Sequence, residues 1–276
     1  MGKTPEIENL AVFCDFENVA LGVRHARHAQ FDIRKVLERL LLKGSIVVKK
    51  AYCDWERYKD FKGPMHEAAF ELIEIPHVRQ SGKNSADIRM VVDALDLCYT
   101  KSHVDTFVIV SGDSDFSPLV SKLRENNKIV IGVGVKSSSS DLLIANCDEF
   151  IYYDDLVRKK QASRKPARKP QRPAGRSPAP AAVKEDKDAE ERTQAALDLI
   201  METLEALAEE RGSGEKVWGS MVKQTLKRRR PGFTESYYGF RSFNRLLEEA
   251  AARGLMELEP DEKSGGYIIR SFHQED

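Results

Sequence analysis

The residues best suited to chemistry are four aspartates that follow apolar strands or open a helix. Asp113 and Asp115 stand in Val108-Ile-Val-Ser-Gly-Asp-Ser-Asp-Phe116, directly after a β-branched run that stops at Ser111-Gly112. Asp15 follows Asn9-Leu-Ala-Val-Phe-Cys14 in the same way, with Asn18 shortly after. Asp87 lies at the start of a helical stretch, behind Ser81-Gly-Lys-Asn84. In a parallel sheet the strands end on one edge, and ligands of open α/β sheets bind beyond it. Carboxylates gathered there repel one another and lose hydration. A hard divalent cation relieves both, and Mg²⁺ or Mn²⁺ prefers oxygen ligands while keeping waters. One or two such ions can activate a water and stabilise the leaving oxygen of a phosphodiester. The competing reading is that the acids are separate helix caps and solvated turns.

The elements that must position these acids follow from periodicity. Strands are expected at Asn9–Cys14, Ser45–Cys53, Leu72–Pro76, Asp105–Ser111, Lys128–Val135 and Phe150–Tyr153. Helices are expected at Phe31–Leu42, from Gly63-Pro64 to about Leu72, and at Ser85–Tyr99, Phe116–Asn126 and Asp141–Asn146. Ile88, Val91, Val92 and Leu95 mark one apolar face of the Ser85 helix. Ser137–Ser140 can cap the helix at Asp141. Strands alternating with helices predict an α/β fold of three layers, α/β/α, around a parallel sheet.

Charge divides the 276 residues into three blocks, although the formal net charge is zero. Residues 1–156 carry 20 basic and 24 acidic side chains, and residues 183–276 carry 15 and 20. Between them, residues 157–182 carry 9 basic and no acidic side chains, which marks a polyanion-binding candidate. The domain plan is therefore 1–156, a basic Pro/Ala-rich linker at 157–189, and a second domain at 190–276. The linker has no apolar periodicity, so it is expected to be disordered. Its bland reading is a soluble spacer. The four cysteines all lie in the first block without a C-x-x-C pair, which argues for buried reduced thiols and a cytoplasmic setting. The polar start shows no signal peptide, and no apolar run nears the ~20 residues of a membrane span.

In the second domain, Thr193–Glu210 has an apolar stripe of Ala196, Leu197, Ile200, Leu204 and Leu207. Helices are also expected at Lys216–Lys227, Phe240–Ala252 and, briefly, Thr234–Tyr238. A hairpin at Leu255–Glu259 and Tyr267–Arg270 would close a small winged helix-turn-helix.

Residues 8–155 resemble the NYN domain, in the LabA-like branch of the PIN-like nuclease superfamily. The matching stretches are Val12-Phe-Cys-Asp-Phe-Glu-Asn-Val19, Gly82-Lys-Asn-Ser-Ala-Asp-Ile-Arg-Met-Val-Val-Asp-Ala-Leu95, Ser111-Gly-Asp-Ser-Asp-Phe116 and Ser138-Ser-Ser-Asp-Leu-Leu-Ile-Ala-Asn-Cys-Asp-Glu-Phe150. The resemblance implies a Mg²⁺- or Mn²⁺-dependent ribonuclease. Asp15, Asp87, Asp113 and Asp115 would be its catalytic, metal-binding acids, supported by Asn18 and Ser111. Asp93 is read as structural or peripheral, Asp141 as either approaching the site or capping its helix, and Asp148 as a lesser candidate because the last motif departs from the usual pattern. Glu17 is expected to point away or to cap. Lys83 and Arg89 lie beside the acids in sequence and are candidates for substrate phosphates. His25 and His28 lack a third ligand, and Gly132-Val-Gly134 lacks a dinucleotide fingerprint.

Residues 190–272 resemble the OST-HTH, or LOTUS, domain. The resemblance rests on Val217–Phe233, Tyr237–Glu248 and Gly265-Gly-Tyr-Ile-Ile-Arg270. It implies RNA binding, with a preference for G-rich or folded RNA, and in some members a protein partner. Lys223, Lys227, Arg228, Arg229, Arg230 and Arg241 would supply phosphate donors, and Tyr237 and Tyr238 stacking faces. Phe240, Phe243 and Trp218 are read as core. Homodimers are compatible with the resemblance and nothing in the sequence requires one. The rival readings are a non-catalytic RNA-binding adaptor, a structure-selective DNA nuclease, and a protein scaffold.

Overall fold

The structure, a computed structural model, describes residues 8–28, 30–75, 85–163, 180–211, 216–261 and 265–272. The chain divides into two compact units, Met1–Arg164 and Lys165–Asp276.

The first unit is built on six strands: β1 (Asn9–Asp15), β2 (Ser45–Cys53), β3 (Glu71–Glu74), β4 (Thr106–Val110), β5 (Ile129–Gly134) and β6 (Glu149–Tyr152). They form one parallel sheet in the order β3-β2-β1-β4-β5-β6. Its helices are α1 (Phe16–His25), α2 (Ile33–Leu40), α3 (Lys59–Glu67), α4 (Ser85–Thr100), α5 (Ser117–Glu125), α6 (Asp141–Asn146) and α7 (Tyr153–Ser163). The central strands are apolar on both faces because helices cover both. Leu10, Val12, Cys14, Val108 and Val110 pack with α1, α2 and α3 on one face. Ala11, Phe13, Phe107 and Ile109 pack with α4, α5 and α6 on the other. All four cysteines are free and buried.

The order of strands reverses direction between β1 and β4. Sequence proceeds outward from β1 to β3, then returns to β4 on the other side of β1. The helices after β1 and β4 leave toward opposite faces, so a crevice opens beyond the carboxyl ends of these two strands.

Several expectations need correction. Helix α1 was not foreseen; it buries only Phe16, Val19, Gly22 and Val23, too sparse a stripe to stand out. Helix α3 starts at Lys59 and carries Pro64 inside it, rather than opening at Gly63-Pro64. Helix α4 buries Met90, Ala94 and Cys98; of its expected apolar face, Val91 and Leu95 pack partly buried against the same core, while Ile88 and Val92 are exposed. The supposed linker is helical at both ends. Helix α7 runs to Ser163, with Asp154 and Asp155 in its first turn and Tyr153 buried. The middle of the basic stretch, 164–179, lies outside the described residues.

The second unit contains α8 (Pro180–Arg211), β7 (Val217–Trp218), α9 (Gly219–Arg229), α10 (Phe243–Ala252), β8 (Met256–Asp261) and β9 (Gly266–Phe272). The strands form an antiparallel sheet in the order β7-β9-β8. Ala196, Leu197, Ile200 and Leu204 of α8 meet Val222, Leu226, Phe243, Leu246 and Leu247 in one core. Helix α9 starts later than expected, because Val217 and Trp218 pair with Ile269 and Ile268 as a strand. The segment at Thr234–Tyr238 turns instead of forming a helix. Phe243 is buried, and Phe240 and Trp218 are half-buried. No helix among the described residues is long and apolar enough to cross a membrane.

Candidate active site

Asp15 ends β1 and caps α1. Its Oδ1 accepts a hydrogen bond from Asn18 N at 3.4 Å, and its Oδ2 accepts one from Ser111 Oγ at 3.0 Å. Asn18 in turn accepts from Gly112 N at 2.9 Å. Ser111 Oγ, wholly buried after β4, also accepts from Asp113 N at 3.2 Å. Asp113 caps the 3₁₀ turn Ser114–Phe116 by accepting from Asp115 N at 3.0 Å. These bonds join the ends of β1 and β4 into one polar knot. Gly112 is required within it. A Cβ there would lie 2.5 Å from Ser138 O, in the loop before α6.

Asp87 comes from the first turn of α4. With Asp15, Asp113 and Asp115 it lines one cleft of about 560 Å³. Burial raises the Asp15 carboxyl to about 7, with Asp87 adding to the rise while the bonds from Ser111 and Asn18 oppose it. Asp87 is raised to about 6, by burial first and then by Asp113 and Asp115. Both shifts mark a cleft whose own acids repel one another in the absence of a cation. Among the described residues, no group of three His, Cys, Asp or Glu side chains stands close enough to hold one metal ion.

The structure therefore brings together on one cleft all four acids singled out from the sequence, with Asn18 on its wall and Ser111 beneath. Arg89 does not line it. Its guanidinium lies 3.0 Å from Asp93. Asp93 also accepts from Tyr52 Oη at 2.9 Å and lies 3.5 Å from Lys50 Nζ, a structural setting. Lys83 lies outside the described residues. Asp141 neither lines the cleft nor caps α6: it is exposed in the first turn, and Ser140 is the cap; Asp148 accepts from Val130 N at 2.8 Å. His28 pairs with Asp154 at 2.9 Å. Gly132 sits in β5 because a Cβ there would lie 2.3 Å from the Phe150 ring.

Three charged lining residues were not among the site residues expected from the sequence: Glu17, Asp54 and Arg57. Asp54 and Arg57 follow β2, the next strand on the same edge, so the rule that singled out Asp15 and Asp113 also reaches them. Glu17, expected to point away, faces the cleft and pairs with Arg57 at 3.2 Å.

In the second unit the basic residues differ in their surroundings. Lys223 lies 2.8 Å from Glu235, and Arg229 lies 2.6 Å from Glu202. Arg228, Arg230 and Arg241 are exposed, and Lys227 is half-exposed. Tyr238 stacks on Phe233 at 5.2 Å, and Tyr237 meets Tyr238 edge-on at 4.9 Å.

Comparison with known proteins agrees with this geometry. Residues 25% identical over 148 positions, 54% of this chain, relate it to the meiosis regulator and mRNA stability factor 1 of Xenopus tropicalis. A second relative, the uncharacterized protein MJ0482 of Methanocaldococcus jannaschii, is 30% identical over 112 residues, 41% of this chain. The matches span 9% and 43% of those two proteins. A crystal structure of a protein of unknown function from Vibrio parahaemolyticus, VPA0982, superposes with a TM-score of 0.50 at 28% identity, over 56% of this chain and 98% of that one. The NYN domain profile matches residues 9–154, the segment that contains the whole sheet and all four acids. The six-stranded parallel sheet, its acid-lined switch point and this match together make the chain a member of the NYN domain family.

Proposed function

We propose that the first unit is a divalent-metal-dependent ribonuclease, cutting as an endonuclease, and that the second is an OST-HTH/LOTUS-type winged helix that recruits its RNA. The carrying observation is the convergence of Asp15, Asp87, Asp113 and Asp115 on one cleft at the strand-order switch. The Xenopus relative is by name an mRNA stability factor, which favours RNA as the substrate.

The donor set suits a hard ion: its acids offer only oxygen, and the raised Asp15 and Asp87 would be relieved by positive charge. Asp15, Asp87, Asp113 and Asp115, which line the cleft, would hold Mg²⁺ or Mn²⁺ together with waters that such an ion retains. When bound, it would supply charge for the developing oxyanion and a more acidic water. The chain itself does the positioning. Ser111 and Asn18 hold Asp15 in one orientation, and the cap to Asp115 N fixes Asp113. Leu21, Ile75 and Ala86 give the cleft an apolar wall against which a base can rest.

For the second unit, support comes from three helices, an antiparallel β7-β9-β8 sheet and the exposed Arg228, Arg230 and Arg241. A tether between the units would raise the local substrate concentration without new catalytic contacts.

The test is cleavage of a 5′-labelled G-rich single-stranded RNA with Mn²⁺, Mg²⁺ or EDTA, using wild type and Asp113→Asn. Metal-dependent cutting lost in the variant supports the nuclease reading. Binding without cutting in any metal makes the protein an RNA-binding adaptor. A matched DNA cut as fast as RNA moves the substrate to DNA, and cutting that survives Asp113→Asn removes this site from the reaction.

A further inference from the structure

The cleft poses an electrostatic problem for an anionic substrate. Six carboxylates line it: Asp15, Glu17, Asp54, Asp87, Asp113 and Asp115. Among the described residues only one cationic side chain, Arg57, lines it with them. A guanidinium offers a planar fork of donors that matches a phosphate.

Arg57 has a fixed base and a movable head. Its turn follows β2, where Trp55 is buried and donates through N to Glu74 at 2.9 Å and through Nε1 to Ile73 O at 3.2 Å. Trp55 and Tyr58 both pack on Phe16, at 5.0 and 5.5 Å between ring centres. Phe16 adjoins Asp15, so the Arg57 backbone is held in register with the acid site. The Arg57 side chain is 52% exposed and its guanidinium reaches Glu17 at 3.2 Å, and the Glu17 side chain is 36% exposed. An ion pair this open to water contributes little to stability, so the guanidinium can be diverted cheaply.

We propose that Arg57 binds a substrate phosphate next to the scissile one, and that Glu17 is a latch that holds the guanidinium in the empty cleft. The proposal rests on the nucleolytic reading of this cleft and adds to it a binding role for a residue outside the acid set. It also makes a prediction that a structural ion pair does not. If the pair only braces the fold, loss of either partner acts in the same direction. If Glu17 competes with phosphate for Arg57, the two losses act in opposite directions.

The experiment uses the full chain and a short single-stranded oligoribonucleotide, which minimises contributions from the second unit. KM and kcat are measured in Mn²⁺ for wild type, Arg57→Ala, Arg57→Lys, Glu17→Gln and the double variant, with melting temperatures to check folding. Arg57→Ala is expected to raise KM about tenfold, the scale of a lost charge-assisted hydrogen bond, with kcat within about twofold. Arg57→Lys restores part of the loss. Glu17→Gln lowers KM, and that gain disappears in the Arg57→Ala background. A gain that persists there is a general field effect and overturns the latch. An unchanged KM in Arg57→Ala, or parallel losses in both single variants, overturns the phosphate role. Anisotropy titration of the same oligonucleotide against these substitutions on an Asp113→Asn background separates the two readings. If wild type cuts nothing, the nuclease reading fails, and affinity still decides Arg57: loss in Arg57→Ala supports it and no change refutes it.

Discussion

Ser111 Oγ donates to Asp15 Oδ2 at 3.0 Å, and the same oxygen accepts the Asp113 N–H at 3.2 Å. One buried hydroxyl thus orients an acid from β1 and the loop that carries two acids after β4. Ser111→Ala would leave a carboxylate oxygen and an amide without this partner. It is expected to destabilise the protein by about 1–3 kcal/mol, measured by urea unfolding. It should also raise the Asp15 carboxyl further, since that hydrogen bond opposes the rise. The acidic limb of a pH–rate profile would then move to higher pH.

Metal-free stability should depend on pH in an unusual direction. The Asp15 carboxyl is raised from 3.8 to about 7 in the folded chain. A raised acid binds its proton more tightly when folded, so its contribution is fully present below about 4 and is lost as pH rises through about 7. Asp87, raised to about 6, acts the same way. Thermal melts in EDTA should therefore show the first unit losing stability between pH 4 and 7, as estimated from these shifts. Asp15→Asn should recover about 2 kcal/mol or more at pH 8 in EDTA. Mn²⁺ should raise the melting temperature more at pH 8 than at pH 5. Equal effects at both pH values would contradict a metal held by these acids.

Gly112→Ala tests how closely the loops pack behind the acids. The added Cβ meets backbone, Ser138 O at 2.5 Å and Ser139 Cα at 2.9 Å, so no side chain can simply turn aside. A loss of about 1–3 kcal/mol is expected. The displaced Asp113 should cost turnover even in the fraction that remains folded. Calorimetry and a single-turnover assay would read the two effects apart.

In the second unit, Arg228→Ala and Arg230→Ala should weaken RNA binding, each flattening the log–log salt slope by about 0.7. Lys223→Ala should behave differently. Lys223 holds the half-buried Glu235 carboxyl below its usual range, although burial of Glu235 works the other way. Removing it should lower the melting temperature at pH 7 with little change in salt slope. Filter binding over a salt series separates the three variants.

The strands and three of the acids were legible because buried parallel strands are continuous apolar runs and the polar residues just after each mark the sheet edge, whereas Asp87 was read from the start of a helix. Asp15 and Asp113 stand out by that rule alone. Helix α4 shows its limit. Of the face expected from spacing, Val91 and Leu95 pack partly buried against the core and Ile88 and Val92 are exposed, while Met90, Ala94 and Cys98 are the residues buried against it. Arg57 follows a strand by the same rule, but its pairing with Glu17, forty residues away in sequence, is set by the fold. Arg89, close to Asp87 in sequence, turns instead to Asp93. Spacing locates a residue along the chain, whereas partner choice is settled only by packing.

The strand order has a consequence for how the molecule comes into being. Asp15 and Ser111 are ninety-six residues apart, and their strands are neighbours only because β4 is inserted beside β1. Contacts of such separation are late and slow to form. A chain emerging during synthesis therefore carries Asp15 well before there is an Asp113 to complete the cleft. The acid-lined cleft is therefore completed only when β4 docks beside β1.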